Sequence, residues 1–160
     1  MRDGQNLQVT LNEISANMDT LALIFMVWCN MVLFFCEANA ARSPMAEAIF
    51  RHLAPSILVQ SAGNKSSHVR ATVRHVLEEE GIDSFGLCSK NVFGVDMAEV
   101  QVAIGLCSPD EAPRIPKRIS IEWWALPDPL CAPKEEQEEE FHALRDELLR
   151  RIPKLISKLK

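Results

Sequence analysis

The sequence of 160 residues has no tyrosine, no cluster of Lys or Arg, no pair of cysteines at metal-ligand spacing and no internal repeat. Each absence narrows the possibilities. With 17 Lys and Arg against 22 Asp and Glu the formal charge is −5, and an acidic chain without a basic patch has no means of holding a nucleic-acid backbone. Nucleic acid is not an expected partner. The cysteines, Cys29, Cys36, Cys88, Cys107 and Cys131, are odd in number and far apart, with no CxxC and no Cys–His pair. A disulfide framework or a structural zinc site needs more regular spacing, so reduced thiols in a cytoplasmic protein are expected. His52, His68, His75 and His142 show no ligand spacing either and read as helix-surface residues, so neither a metal nor a cofactor is expected.

An apolar run of bilayer length is also missing. Leu21–Cys36 is apolar apart from Asn30 but falls short of the ~20 residues that a spanning helix needs, so no membrane anchor is expected. Residues 1–20 carry Arg2 alone against Asp3, Glu13 and Asp19, which omits the basic start of a secretory signal. Residues 1–30 are set apart as an N-terminal extension and residues 31–160 as one domain.

What is present is ordinary for a globular chain: 48% apolar and 24% charged residues. From Met31 the pattern alternates between strand and helix. Met31–Phe35 is a buried-strand run. Ser43 and Pro44 follow as a helix cap and first helical residue, and Met45, Ile49, Phe50 and Leu53 share one face of a helix that ends before Pro55. Ile57–Val59 is a second strand running into Ser61, Ala62 and Gly63. Val69, Val73, Val76 and Leu77 mark the next helix, with Gly81 at its C-terminal cap. Val100–Leu106 and Arg118–Trp123 are further strands, and a proline-rich loop follows from Leu126 to Pro133. The last helix carries Phe141, Leu144, Leu148, Ile152, Leu155 and Leu159 on one face, with acids at its start and Pro153 expected to bend it. This alternation predicts an α/β three-layer sandwich on a four-stranded parallel sheet, flavodoxin-like, with helices on both faces and a ligand site at the carboxyl ends of the strands.

That rule directs attention to residues 36–43. Cys36 closes the first strand and Arg42 stands at the mouth of a helix. A loop of this length turns successive backbone N–H groups inward as a nest for a tetrahedral oxyanion, and the helix N-terminus adds its positive end. Ala38, Ala40 and Ala41 permit the tight curl, while Asn39 tolerates a left-handed conformation. The same field favours a negatively charged sulfur at Cys36, and the planar fork of Arg42 suits two oxygens of a bound anion.

The segment Val32-Leu-Phe-Phe-Cys36-Glu-Ala-Asn-Ala-Ala-Arg42-Ser43-Pro44-Met45-Ala46-Glu47 resembles the signature of the low molecular weight protein tyrosine phosphatases and of the arsenate reductases that share their fold, and the chain looks nearer to the reductase branch. The resemblance continues through Ser61-Ala-Gly63, Glu80-Gly-Ile-Asp83, Ser89-Lys90, Leu106-Cys107, Trp124-Ala-Leu-Pro-Asp128-Pro129 and residues 141–152. It implies that Cys36 is the nucleophile, Arg42 the oxyanion clamp, Ser43 a hydrogen-bond donor to the thiolate and Asp128 the general acid. Glu37, Ala38, Asn39, Ala40 and Ala41 would form the oxyanion-binding loop with Ser43, Asn39 shaping it.

Two activities are compatible with that resemblance. Phosphomonoester hydrolysis through a phosphocysteine needs Cys36, Arg42 and Asp128, and all are present, so it ranks first. The alternative is arsenate reduction, in which Cys107 would be the resolving thiol. A third thiol expected a few residues on is replaced by Ala112, which leaves Cys88, Cys131 or an external thiol such as glutathione. Expected ligands are phosphate, arsenate or a phosphorylated protein or small molecule. A reductase would also engage thioredoxin, glutaredoxin or glutathione. The absence of tyrosine leaves Trp123 or Trp124 to line a cleft for an aromatic substrate. A non-catalytic oxyanion-binding module is the third reading, and Cys36 together with Asp128 speaks against it.

Overall fold

Every residue of strand β1 (Met31–Cys36) is buried, which explains why this run is apolar throughout instead of alternating. The computed structural model describes residues 31–159; the N-terminal extension 1–30, including the run Leu21–Cys29, lies outside the described residues. Side chains of β1 still alternate between faces. Val32, Phe34 and Cys36 enter one hydrophobic cluster, and Met31, Leu33 and Phe35 enter another on the opposite side.

Strands β2 (Leu58–Gly63), β3 (Val100–Gly105) and β4 (Ser120–Trp123) complete a four-stranded, all-parallel sheet in the order β2-β1-β3-β4. The chain leaves β1 toward β2 and then returns across β1 to reach β3. The connections therefore diverge on either side of the β1/β3 pair, and the crevice at the carboxyl ends of those strands is the topological switch point. Cys36 ends β1, and Cys107 follows β3 by two residues.

Helices α1 (Arg42–Leu53), α2 (Ala71–Glu78) and α3 (Gln137–Leu159) all pack on the face that carries Phe34. Phe34 meets Phe50 of α1 edge-on at 5.7 Å and Trp124 at 6.0 Å. The opposite face departs from the expected helical cover. There Met31, Leu33 and Phe35 lie under Val92, Val95, Met97, Ile115 and Ile119, which come from the short 3-10 turn Val92–Gly94 and from irregular chain. Val92, Val95 and Met97 precede β3, and Ile115 and Ile119 follow it in a crossover that Pro109, Pro113 and Pro116 interrupt, so that part of the third layer is built of turns.

Gly81 caps α2 as expected. At φ 67° it allows the Gly81 N–H to reach Glu78 O and the Ile82 N–H to reach Leu77 O, each at 2.9 Å, a Schellman closure. The start of α1 differs from expectation. The helix begins at Arg42 with Ala41 in the cap position and no side-chain cap, because the Ser43 hydroxyl is engaged elsewhere. Pro44 still falls in the first turn, where its missing N–H costs nothing. Helix α3 continues through Pro153 to Leu159. His52 and His75 lie exposed on helices and His142 is half-buried on α3, whereas His68 sits in the loop before α2.

Candidate functional site

Residues 37–41 form a curl of bends between β1 and α1, and Asn39 takes the left-handed conformation at φ 48°. Five carbonyls from Cys36 to Ala41 are bonded away from the curl. Cys36 O accepts from the Asn64 N–H, Glu37 O from the Lys65 N–H, Ala38 O from the Ser89 hydroxyl, Ala40 O from the Arg70 N–H and Ala41 O from the Met45 N–H. In a trans peptide the following N–H points the opposite way, so the amides of Glu37, Ala38, Asn39, Ala41 and Arg42 face the hollow of the loop. Gly63 makes this closeness possible. A Cβ there would stand 2.8 Å from Asn39 N, Glu37 O and Lys65 O, all of them backbone atoms.

The Cys36 sulfur is buried and lies 3.0 Å from the Ser43 hydroxyl oxygen. That oxygen accepts from Asn39 Nδ2 at 2.8 Å, and its own proton has only a longer alternative, Ala62 O at 3.4 Å. The shorter contact places the Ser43 hydroxyl to donate to the sulfur. Asn39 is fully buried and satisfied on both ends: Nδ2 also donates to Ser61 Oγ at 2.9 Å, and Oδ1 accepts from the Lys90 N–H at 2.7 Å. Ser61 in turn donates to the buried carboxylate of Glu47, which has Lys90 Nζ at 3.6 Å. One polar chain thus runs from Glu47 through Ser61, Asn39 and Ser43 to the sulfur. Glu47, Ser61 and Lys90 had no assigned role in the sequence, although all three stand within the segments that carry the resemblance.

Arg42 is 5% exposed and bolts the ends of two strands together. Nη1 donates to Leu126 O at 3.2 Å and, more weakly, to Leu106 O at 3.4 Å, and Nη2 meets Asp128 Oδ2 at 2.8 Å. Its Nε is buried without a partner, and among the described residues only Arg70 Nε shares that condition. Asp128 also starts the short 3-10 turn Pro129–Cys131, its Oδ1 accepting from the Leu130 N–H at 3.0 Å. Turn-starter and site carboxylate are therefore the same residue.

Cys107 is fully buried. Burial first, and the charge of the nearby Cys36 second, push its thiol up to about 11, with Arg42 opposing. At neutral pH it is protonated. Above the loop, Glu37, Arg42, Ser108, Glu111, Asp128 and Cys131 line a shared cleft. The expectation that Trp123 or Trp124 lines it is not met. Trp124 packs into the core against Phe34, and Trp123 stands edge-on to Phe35 at 5.4 Å on the other face of the sheet, over Gly105. Ala112, in place of the third thiol, packs against the core, and Cys88 is exposed outside the cleft.

A family profile described as low molecular weight phosphotyrosine protein phosphatase matches residues 31–160. The chain belongs to this family. Within the low molecular weight phosphatase family, its relatives include the glutaredoxin arsenate reductase of Synechocystis sp., 33% identical over 80% of this chain and 97% of that protein. A solved structure titled an arsenate reductase in the phosphate binding state is 31% identical, with a TM-score of 0.71 over 82% of this chain and 99% of the other. The YwlE arginine phosphatase from Geobacillus stearothermophilus is 25% identical, with a TM-score of 0.66 over 81% and 92%. Reductases and phosphatases thus share this architecture. Among the described residues no helix is long and apolar enough to cross a membrane.

Proposed function

We propose that the protein reduces arsenate, with Cys36 as nucleophile and Cys107 as resolving thiol. The observation that carries this reading is the placement of Cys107, a buried thiol beyond the end of β3 and within electrostatic reach of both Cys36 and Arg42. Hydrolysis has no use for a second thiol there. The sequence alone ranks phosphomonoester hydrolysis ahead, but the position of Cys107, a cleft without aromatic lining and the arsenate reductases among the relatives reverse that order.

In the proposed reaction, arsenate sits in the loop 37–42 and binds the Arg42 fork. The Cys36 thiolate attacks arsenic, and one oxygen leaves as water after taking a proton from Asp128. Cys107 then attacks the Cys36 sulfur. The S–S bond forms, the S–As bond breaks with its electron pair left on arsenic, and arsenite departs with the proton of Cys107. Two thiols have supplied two electrons, and a thioredoxin or glutaredoxin dithiol, or glutathione, restores them. Burial holds Cys107 protonated until that step, so it does not compete with Cys36 for the anion.

Hydrolysis of phosphomonoesters is the second reading, favoured by Asp128 facing the same pocket as Arg42. One paired assay tests both: p-nitrophenyl phosphate hydrolysis and thiol-dependent arsenate reduction, for the parent, Cys36→Ser and Cys107→Ser proteins. Arsenate reduction is expected to vanish in both variants, and any hydrolysis in Cys36→Ser alone. Reduction that persists in Cys107→Ser overturns the reductase reading. Loss of neither activity in Cys36→Ser overturns both readings.

A further inference from the structure

The geometry points to Cys131 as the third thiol of the relay, the one that carries oxidising equivalents from the buried site to the surface; this rests on the reductase reading above. Cys36 and Cys107 are both buried, so a disulfide between them is sealed from a protein-sized reductant. Cys131 is exposed, yet it lines the same cleft as Arg42 and Asp128. Ser108, the neighbour of Cys107 in the chain, is another wall of that cleft. Independent support that this cleft takes a ligand comes from Arg42, whose buried Nε has no partner while its other nitrogens are engaged.

The turn that holds Cys131 is tied to the anion clamp. Cys131 N–H donates to Asp128 O at 3.0 Å, the Leu130 N–H donates to Asp128 Oδ1, and Asp128 Oδ2 meets Arg42 Nη2. An oxyanion seated on the Arg42 fork competes with Asp128 for Nη2, so loading the site loosens the anchor of the turn. After arsenite leaves, the Cys131 thiolate attacks the Cys107 sulfur of the Cys36–Cys107 disulfide. The S–S bond to Cys36 breaks and a Cys107–Cys131 bond forms. Cys36 leaves as the thiolate, ready for another anion, and the proton of Cys131 passes to solvent. A dithiol protein then reduces the Cys107–Cys131 bond from outside.

A single-turnover trap tests this. The full chain, reduced and freed of reductant, is given arsenate, quenched with N-ethylmaleimide and mapped by peptide mass spectrometry without reduction. The expected product is a Cys107–Cys131 disulfide with Cys36 alkylated, and Cys131→Ser is expected to stop at Cys36–Cys107. With a dithiol protein as reductant, steady turnover is expected to fall about tenfold or more in Cys131→Ser and to stay unchanged in Cys88→Ser. A parent chain that ends at Cys36–Cys107 with Cys131 alkylated overturns the proposal and leaves the reductase reading intact, as does Cys107 joined to another cysteine. No arsenite and no disulfide overturns both.

Discussion

Arg42 Nη2 and Asp128 Oδ2 stand 2.8 Å apart, so the guanidinium proposed to hold the oxyanion already forms an ion pair with a carboxylate. A bidentate anion needs Nε and Nη2 together, and the carboxylate occupies half of that fork while adding a like charge. Asp128→Asn is therefore expected to tighten phosphate binding by about 1 kcal/mol, roughly fivefold in Kd by calorimetric titration. Arg42→Lys is expected to weaken it by about tenfold or more, since an ammonium offers no planar fork. Unchanged affinity in Asp128→Asn would mean that the pair does not compete with the anion.

Asn39 spends a left-handed backbone and a full set of hydrogen bonds on shaping the loop. Asn39→Ala leaves the half-buried Lys90 N–H without its acceptor, removes the donor to the Ser61 and Ser43 hydroxyls, and places a Cβ-only side chain where φ is positive. A loss of about 2–4 kcal/mol in urea unfolding is expected. A loss below about 1 kcal/mol would show that water replaces the amide without penalty.

Cys107 makes stability depend on alkaline pH. Its folded pKa, about 11, lies above the ordinary thiol value of 9.0, so the native state holds a proton that the unfolded chain gives up. Its contribution is complete below pH 9 and is lost as pH rises through 11. Cys107→Ala should flatten that decline in the unfolding free energy, and iodoacetamide should label Cys107 in the native protein only as pH climbs in the same interval.

Helices α2 and α3 are joined by a cluster around Glu79: His142 Nε2 at 2.7 Å, Arg145 Nη1 at 3.0 Å and His75 Nε2 at 3.6 Å. The hydrogen bond that His142 donates to Glu79 raises the His142 pKa, and the same bond lowers that of Glu79. The stabilisation from the histidine is present below its unfolded pKa and is lost as pH rises through the folded one. That from the glutamate is present above its unfolded pKa and is lost as pH falls through its folded one. Melting temperature should therefore decline on the alkaline side of histidine titration, and His142→Gln should remove that slope. An identical slope in the variant would assign it to other groups.

The strand-loop-helix order around Cys36 and Arg42 was readable because it is written in contiguous residues, and so was Gly81, where a cap needs a positive φ. Glu47 and Ser61 were not, since one lies on a helix and the other on a strand, and only the packing of α1 on β2 brings them together. Ser43 looked like a cap in sequence terms. Three-dimensional proximity to the sulfur gave its hydroxyl a stronger partner. Helices on both faces followed from the alternation rule, which does not see that irregular chain before β3 and a proline-studded crossover after it cover the second face.

Trp123 and Trp124 sit on opposite faces of the sheet, immediately before the segment that carries Asp128 and Cys131. In a polypeptide devoid of tyrosine, with Trp28 as the third indole, ultraviolet emission comes from tryptophan alone. Once Trp28 is replaced by phenylalanine, the chain carries its own optical gauge immediately before the segment that bears Asp128 and Cys131. Stopped-flow fluorescence can then report on the surroundings of those two indoles during turnover without any attached dye.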